Sequence, residues 1–180
     1  MGIIEIILIA FGLAMDAFAV AVCKGLAIRK INFKKIVKVG LWFGIFQAFM
    51  PILGFLLGNS FAKFMQAFSN WIAFVLLTWI GINMLRELNK KEGETINEDI
   101  SAKKMFPLAI ATSIDALMVG ITFSFLKINI LTSALCIGII TFLLSMLGVK
   151  VGNRFGDKYE KKAQIIGGIL LIGLGVKSLI

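Results

Sequence analysis

The sequence contains no histidine and, among its 180 residues, only two prolines and two cysteines. Without histidine, the chain lacks the commonest protein ligand of zinc and copper and the usual proton shuttle at neutral pH. Cys23 and Cys136 do not form a CxxC pair, so they indicate no disulfide framework. Charged residues make up only 16% of the chain, and no polar domain is present to hold a nucleophile and its base. These absences argue against an enzyme and against a soluble domain.

Long hydrophobic runs occupy most of the chain instead. Hydrophobic residues make up 59%, and the mean hydropathy is +0.95. The first run, opening MGIIEIILIA, has no basic region and no cleavage site of a signal peptide, so we expect it to remain as a helix. Runs of about 20 residues suffice to cross a bilayer as a helix. They lie near residues 3–23, 39–58, 68–86, 105–126, 130–149 and 163–180. The sequence therefore predicts an all-α integral membrane bundle of six transmembrane helices.

The net charge of +9 comes from basic residues that lie between these runs. Lys63, Lys127 and Lys177 fall on one side of the predicted bundle, whereas the other sixteen Lys and Arg residues fall in the first, third and fifth connections. Cytoplasmic loops are enriched in Lys and Arg, so the asymmetry predicts that both termini lie outside the cell. The positive charge thus indicates membrane topology, and we expect no nucleic-acid partner.

The two halves of the chain resemble each other. A polar cytoplasmic linker, predicted at residues 87–104, separates residues 1–86 from residues 105–180. A shift of 99 positions places LAMDAFAV on TSIDALMV and Asp16 on Asp115, and a shift of 94 places GNSFAKF on GNRFGDKY. Because each half contains three runs, the second half must insert upside down. The pattern predicts a 3+3 inverted repeat within one membrane domain, as in many secondary transporters.

Asp16 and Asp115 are the only acidic residues well inside an apolar run. An aspartate at the middle of a membrane helix costs at least about 2.5 kcal/mol. No lysine or arginine lies at mid-span to pair with either carboxylate. A bound cation or proton would offset the cost, and we expect the pair to form an ion site near the repeat interface. The alternative is a pair of protonated acids with a purely structural role.

Further oxygen atoms are predicted near this pair. Thr112 and Ser113 shortly precede Asp115, and Gln47 overlays Thr141 under the shift of 94. Ordinary interhelical hydrogen bonding is the alternative role for Gln47 and Thr141.

Met15 precedes Asp16 and could add a thioether, with simple packing as the alternative. Carboxylate, amide and hydroxyl oxygens suit Mg²⁺, Ca²⁺ and Mn²⁺ as ligands. An additional thioether would favour Mn²⁺ over Mg²⁺ and Ca²⁺. The residues by themselves predict a divalent cation or a proton. The candidate metal ligands are Asp16, Asp115, Met15, Gln47, Thr112, Ser113 and Thr141.

Several motifs cover nearly the whole chain: AFGLAMDAFAV, GLWFGIFQAFMPILGFLLG, WIAFVLLTWIGINML, AIATSIDALMVG and QIIGGILLIGLGVK. Together they resemble the motifs of the bacterial manganese efflux pump family. The resemblance implies a plasma-membrane exporter that lowers cytoplasmic Mn²⁺, with Asp16 and Asp115 as its essential intramembrane acids. It implies no cofactor, since Mn²⁺ is the transported substrate. Some members carry glutamate where this chain has Gln47, which would alter the charge at the site.

The energy source is predicted by exclusion. The chain has no P-loop and no soluble domain with a phosphorylatable aspartate, so ATP is not the visible source. Two aspartates can bind one Mn²⁺ or two protons, which predicts cation/proton exchange with alternating access. The alternatives are a sporulation-associated or structural membrane protein of the same fold, and an exporter of another solute. The predicted partners are Mn²⁺, protons and the lipid bilayer, and both a monomer and a homodimer remain open.

Overall fold

The computed structural model describes residues 3–28, 31–87, 100–126 and 128–177, with only some of the side chains in 59–87 and 156–177. Within these ranges the regular structure is entirely helical, which confirms the predicted all-α class. Most of the predicted linker, residues 88–99, lies outside the described residues. The helices are α1 (Ile3–Ala27), α2 (Phe33–Glu87), α3 (Ala102–Ala111), α4 (Ile114–Phe125) and α5 (Ile130–Lys177).

Three helical segments are long and apolar enough to cross a membrane on their own. They are Ile3–Ala27, Phe33–Gly58 and Ile130–Phe155. Within the described residues, α3 and α4 together are also long and apolar enough, and they are bent by 47° at the break between them, as in a broken span or a re-entrant loop. The predicted runs at 68–86 and 163–180 fall in the later parts of α2 and α5, and their status as separate spans remains a prediction.

Gly58 divides α2 into two helical parts. Its backbone has φ 50 and ψ −143, which is not helical. This positive φ is adopted readily by glycine because glycine has no Cβ atom. The second predicted run ends at this residue, so the sequence boundary coincides with a backbone break.

The fourth predicted run, at 105–126, is not one continuous helix. Thr112 and Ser113 separate α3 from α4. The Thr112 hydroxyl lies 3.0 Å from the Leu108 carbonyl oxygen, and the Ser113 hydroxyl lies 2.7 Å from that of Ala109. Hydroxyls that donate to carbonyls four residues earlier commonly bend helices. Two of them in succession account for the break.

The helices pack in an interleaved order. α5 packs along both α1 and α2, while α3 and α4 pack against α2. A Cβ atom on Gly44 of α2 would lie 3.0 Å from the Gly138 carbonyl oxygen, and one on Gly138 of α5 would lie 2.9 Å from that of Gly44. The two backbones therefore touch where α2 and α5 cross. Such close crossings are typical of membrane helices, where small residues permit van der Waals packing.

Two clusters of buried side chains lie along these contacts. The first joins α1, α2, α3 and α5 and includes Val20, Phe43, Met105 and Val149. The second joins α1, α4 and α5 and includes Ala10, Leu13, Ala116, Phe123 and Ile137. Along α1, Asp16 lies between Leu13 of the second cluster and Ala17 of the first. The packing therefore holds α1 firmly on both sides of its aspartate.

Candidate cation site

Asp115 lies in the first turn of α4, directly after the break. The apolar run predicted at 105–126 contains Asp115 as expected, but the helix is interrupted directly before it. Its side chain is half-buried, and its Oδ1 atom accepts a hydrogen bond from the Ala116 N–H at 2.8 Å. The first N–H groups of a helix have no intrahelical partners and form the positive end of its dipole. The Ala116 N–H thus offsets part of the cost of a charge on Asp115, while burial and the nearby Asp16 act against that charge.

Asp16 lies within the continuous helix α1, on the exposed side of the isolated chain. A Cβ atom on Gly12, one turn earlier, would meet no other atom within 4 Å. The side chain of Asp16 is nevertheless close enough to Asp115 for their charges to interact, although 99 positions separate them in the sequence. Two like charges from different helices therefore share one region, and one of them is accessible from outside the packed core.

Gln47 connects the two segments that carry the aspartates. Its side chain is 0% exposed. Nε2 donates to the Leu13 carbonyl oxygen at 3.1 Å, and Oε1 accepts from the Ser113 hydroxyl at 2.9 Å. Leu13 precedes Asp16 by three residues, and Ser113 precedes Asp115 by two. The alternative role predicted for Gln47, interhelical hydrogen bonding, is what the structure contains.

Thr112 and Ser113 are both buried at the break. A serine hydroxyl has one hydrogen, so Ser113 donates either to Gln47 or to the Ala109 carbonyl oxygen at a given moment. The Thr112 hydroxyl points back to the last turn of α3, 3.0 Å from the Leu108 carbonyl oxygen. Its oxygen lone pairs remain available to an ion or a donor.

Two hydroxyls on α5 are buried without a hydrogen bond. Thr141 and Ser145 are each 0% exposed, and the described part of the chain offers their Oγ atoms no hydrogen-bond partner. Leaving a buried polar group unpaired costs about 1–3 kcal/mol. Thr141 is among the predicted ligands, whereas Ser145 was missed. Its spacing of four residues from Thr141 is the signal that could have identified it, since both then lie on one helix face.

Met15 is 53% exposed on the outer side of α1. Asp16 lies on the same broad exposed side. The exposure is compatible with both predicted roles for Met15, packing against lipid and presentation of a thioether to an ion.

Acidic and sulfur ligands alone do not complete a metal site in this part of the chain. Across residues 3–28, 31–87, 100–126 and 128–177, no group of three or more His, Cys, Asp or Glu side chains is placed to hold a metal ion. A divalent ion at the aspartate pair would therefore need hydroxyl, amide or main-chain oxygens as further ligands. The buried hydroxyls described above are of this kind.

Comparisons with known proteins identify relatives over the whole length. A family model described as "Putative manganese efflux pump" matches residues 30–179. A protein named "Putative manganese efflux pump MntP" from Acetivibrio thermocellus is 51% identical over 181 residues, covering 99% of this chain and 91% of the relative. Proteins of the same name from Desulfitobacterium hafniense and Methanosphaera stadtmanae are 50% and 45% identical. The two alignments cover 100% and 98% of this chain, and 95% and 98% of the respective relatives. No solved structure matches the chain.

Proposed function

The chain belongs to the manganese efflux pump family, a family of transporters and not of enzymes, and from that premise we propose that it exports Mn²⁺ across the bacterial plasma membrane in exchange for protons. Asp16 and Asp115 bind Mn²⁺ at one stage of the cycle and protons at another. Access to them alternates between the two sides of the membrane. One observation carries the proposal: carboxylates from two halves of the chain interact electrostatically beside a break in a membrane helix. Broken helices at such sites are a recurring feature of secondary transporters.

Exchange with protons is supported by the electrical work of export. Moving two positive charges out against an inside-negative potential costs about 4.6 kcal/mol per 100 mV. Two carboxylates that release one Mn²⁺ and accept two protons return the same charge, so the cycle carries no net charge. Proton entry then supplies the driving force without ATP.

The donor set supports a hard divalent ion such as Mn²⁺. Asp16 and Asp115 supply the negative charge, and the unpartnered Thr141 hydroxyl and the lone pairs of Thr112 are neutral oxygens. Mn²⁺ is well served by carboxylate, carbonyl and water oxygens. Met15 would add a softer contact that distinguishes Mn²⁺ from Mg²⁺ and Ca²⁺.

Pairs of equivalent contacts support the inverted repeat. A Cβ atom on Gly54 would collide with the Leu117 carbonyl oxygen, and one on Gly148 would lie 2.8 Å from that of Phe18. The shift of 94 relates Gly54 to Gly148, and the shift of 99 relates Phe18 to Leu117. The same contact therefore recurs with the roles of the two halves exchanged.

The crossing of α2 and α5 supports a twofold axis in the membrane plane. A Cβ atom on Gly44 would lie 2.9 Å from the Phe142 Cβ, and one on Gly138 would lie 2.7 Å from the Ala48 Cβ. The shift of 94 relates Gly44 to Gly138 and Ala48 to Phe142. These contacts make the two helices antiparallel. Equivalent helices that run antiparallel through one crossing point are related by an axis perpendicular to them.

One difference between equivalent positions supports alternating access. Gly152 lies in helical backbone, and a Cβ atom there would collide with the Val22 carbonyl oxygen. Its counterpart Gly58 has a positive φ, and among the described residues a Cβ atom there would lie 3.9 Å from the Ser124 Oγ. One end of the bundle is therefore tightly packed and the other is looser. Exchange of these two conformations between the halves would open one side as the other closes.

Uptake of Mn²⁺ into inverted membrane vesicles tests the proposal. In such vesicles the cytoplasmic face points outward, so export becomes uptake. We expect Mn²⁺ to accumulate, faster with an acidic lumen than without a pH gradient, and in preference to Mg²⁺ and Ca²⁺, with Fe²⁺ measured alongside. Vesicles without the protein are the control. An equal rate of Mn²⁺ uptake with and without the pH gradient would exclude proton exchange. Absence of Mn²⁺ uptake would exclude Mn²⁺ export.

A further inference from the structure

We propose that Gln47 is a positioning residue, which ties the two aspartate-bearing segments into one site and is not itself a ligand of the ion. The inference deepens the proposed function and rests on it. It assigns Gln47 a role different from the metal contact that the sequence predicts.

Both ends of the Gln47 amide are occupied. The N–H group donates to Leu13 of α1 at 3.1 Å, and the carbonyl oxygen accepts from Ser113 at the break between α3 and α4 at 2.9 Å. The side chain is 0% exposed on α2. A single buried residue thus forms hydrogen bonds with two other elements of the fold.

The bridge requires one donor and one acceptor on the same side chain, and the Gln47 amide supplies both. The Leu13 carbonyl is an acceptor only, and the Ser113 hydroxyl supplies the hydrogen on the other side. An ionised carboxylate at position 47 has no hydrogen to donate and would face the Leu13 oxygen with a negative charge. A hydrocarbon side chain would leave both groups unpaired in a buried setting.

The bridge acts on the carboxylates through the backbone. It attaches one helical turn before Asp16 and two residues before Asp115. Two ionised carboxylates this close in space repel each other, and this repulsion favours separation of their segments. By holding α1 and the break against α2, Gln47 keeps both carboxylates within reach of one ion. Without it, Mn²⁺ would have to supply the energy that draws the segments together, and binding would weaken.

The bridge exists on one side of the repeat only. Thr141, the counterpart of Gln47 on α5, is too short to span two elements, and its hydroxyl has no hydrogen-bond partner among the described residues. The two related positions therefore have different roles. Gln47 holds α1 and the break between α3 and α4 together, and Thr141 keeps an oxygen available to the ion.

Initial rates of Mn²⁺ uptake into inverted vesicles, measured per inserted molecule over a range of Mn²⁺ concentrations, test this role. Gln47→Leu should raise the half-saturating Mn²⁺ concentration about tenfold or more, and Ser113→Ala about fivefold, with maximal rates changed by less than about twofold. The double variant should be no worse than Gln47→Leu, because both substitutions break one bridge. Gln47→Glu should also weaken Mn²⁺ uptake, because it removes the donor to Leu13.

Ser133→Ala is the matched control. Ser133 is a buried serine whose hydroxyl donates to the Asn129 carbonyl oxygen, at 3.1 Å, within its own helix end. We expect its half-saturating concentration to equal that of the unmodified chain.

Three outcomes would overturn the inference while leaving the proposed function intact. They are an unchanged half-saturating concentration in Gln47→Leu, fully additive effects of Gln47→Leu and Ser113→Ala, and tighter Mn²⁺ uptake in Gln47→Glu. The last would show that position 47 contacts the ion directly. Absence of Mn²⁺ uptake by the unmodified chain would overturn the proposed function, and this inference with it.

Discussion

The two aspartates occupy different local environments despite their matching motifs. Asp115 begins a helix and accepts a hydrogen bond from Ala116, so the backbone itself compensates part of its charge. Asp16 lies in an unbroken helix, where neighbouring N–H groups are already used by the helix. One carboxylate of the pair is exposed and the other half-buried.

Asp16→Asn and Asp115→Asn should each abolish transport. Asparagine has the same shape, and its Oδ1 atom can still accept from the N–H of residue 116, so folding should be retained. Replacing a residue that orients a metal ligand typically costs 10–100-fold, so removing one of two charged ligands should lower Mn²⁺ uptake by about 100-fold or more. Vesicle uptake, normalised to the inserted protein, measures the effect.

Glu5→Gln is the control for these two substitutions. It removes an acid in the first turn of α1, at an exposed position away from the pair, and should transport normally. Substantial Mn²⁺ uptake by either asparagine variant would remove that aspartate from the mechanism.

Whole helices approach each other most closely where glycine permits backbone contact. A Cβ atom on Gly54 would collide with Leu117, and one on Gly120 would collide with Pro51. Both contacts join α2 to α4, the helix that Asp115 begins. The position of Asp115 therefore depends on the absence of side chains at these two glycines.

Gly54→Ala and Gly120→Ala should each destabilise the protein by about 1–3 kcal/mol, because the added methyl group meets rigid backbone and forces the helices apart. Thermal unfolding in detergent measures the effect. Gly12→Ala is the matched control, since its Cβ atom would meet nothing within 4 Å. In a helix interior that change should be neutral or stabilising. Equal stability of all three variants would contradict the close contact between α2 and α4.

At the scale of the whole molecule, the contacts around Gly44 and Gly138 make α2 and α5 antiparallel, as the proposed inverted repeat requires. An inverted arrangement explains how one chain can present similar openings to both sides of the membrane. The orientation of the bundle in the membrane then decides the direction of transport. This orientation is predicted from the distribution of Lys and Arg between the two sides.

Labelling of single cysteines with a membrane-impermeant maleimide tests this orientation in intact cells. Asn129→Cys should react from outside, whereas Lys34→Cys should react only after permeabilisation. Both positions are exposed, and Cys23 and Cys136 are replaced by alanine beforehand. The variant that keeps only Cys23, which is buried, should stay unlabelled. The reverse pattern of labelling would place both termini in the cytoplasm.

Parts of this architecture could be predicted because they depend on neighbouring residues. The runs predicted at 3–23, 39–58 and 130–149 from apolar length lie within the spans Ile3–Ala27, Phe33–Gly58 and Ile130–Phe155. The helix class follows because lipid leaves the backbone no external hydrogen-bond partners. The break at Thr112 and Ser113 was missed. Its residues are common in continuous helices, and the bend depends on which carbonyl each hydroxyl bonds. Gln47 was identified as a polar residue of interest, but its role could not be assigned from sequence.

The sequence by itself determined that the chain has helices apolar enough to cross a membrane, that two aspartates lie within apolar runs, and that similar motifs occur in its two halves. These features follow from hydrophobicity and from backbone hydrogen bonds between residues four apart. Only the tertiary structure decided that Asp16 interacts with Asp115 across 99 positions, and that Gln47 joins Leu13 to Ser113 across 34 and 66. Such contacts depend on which helix faces meet, and that is set by where glycines let backbones touch.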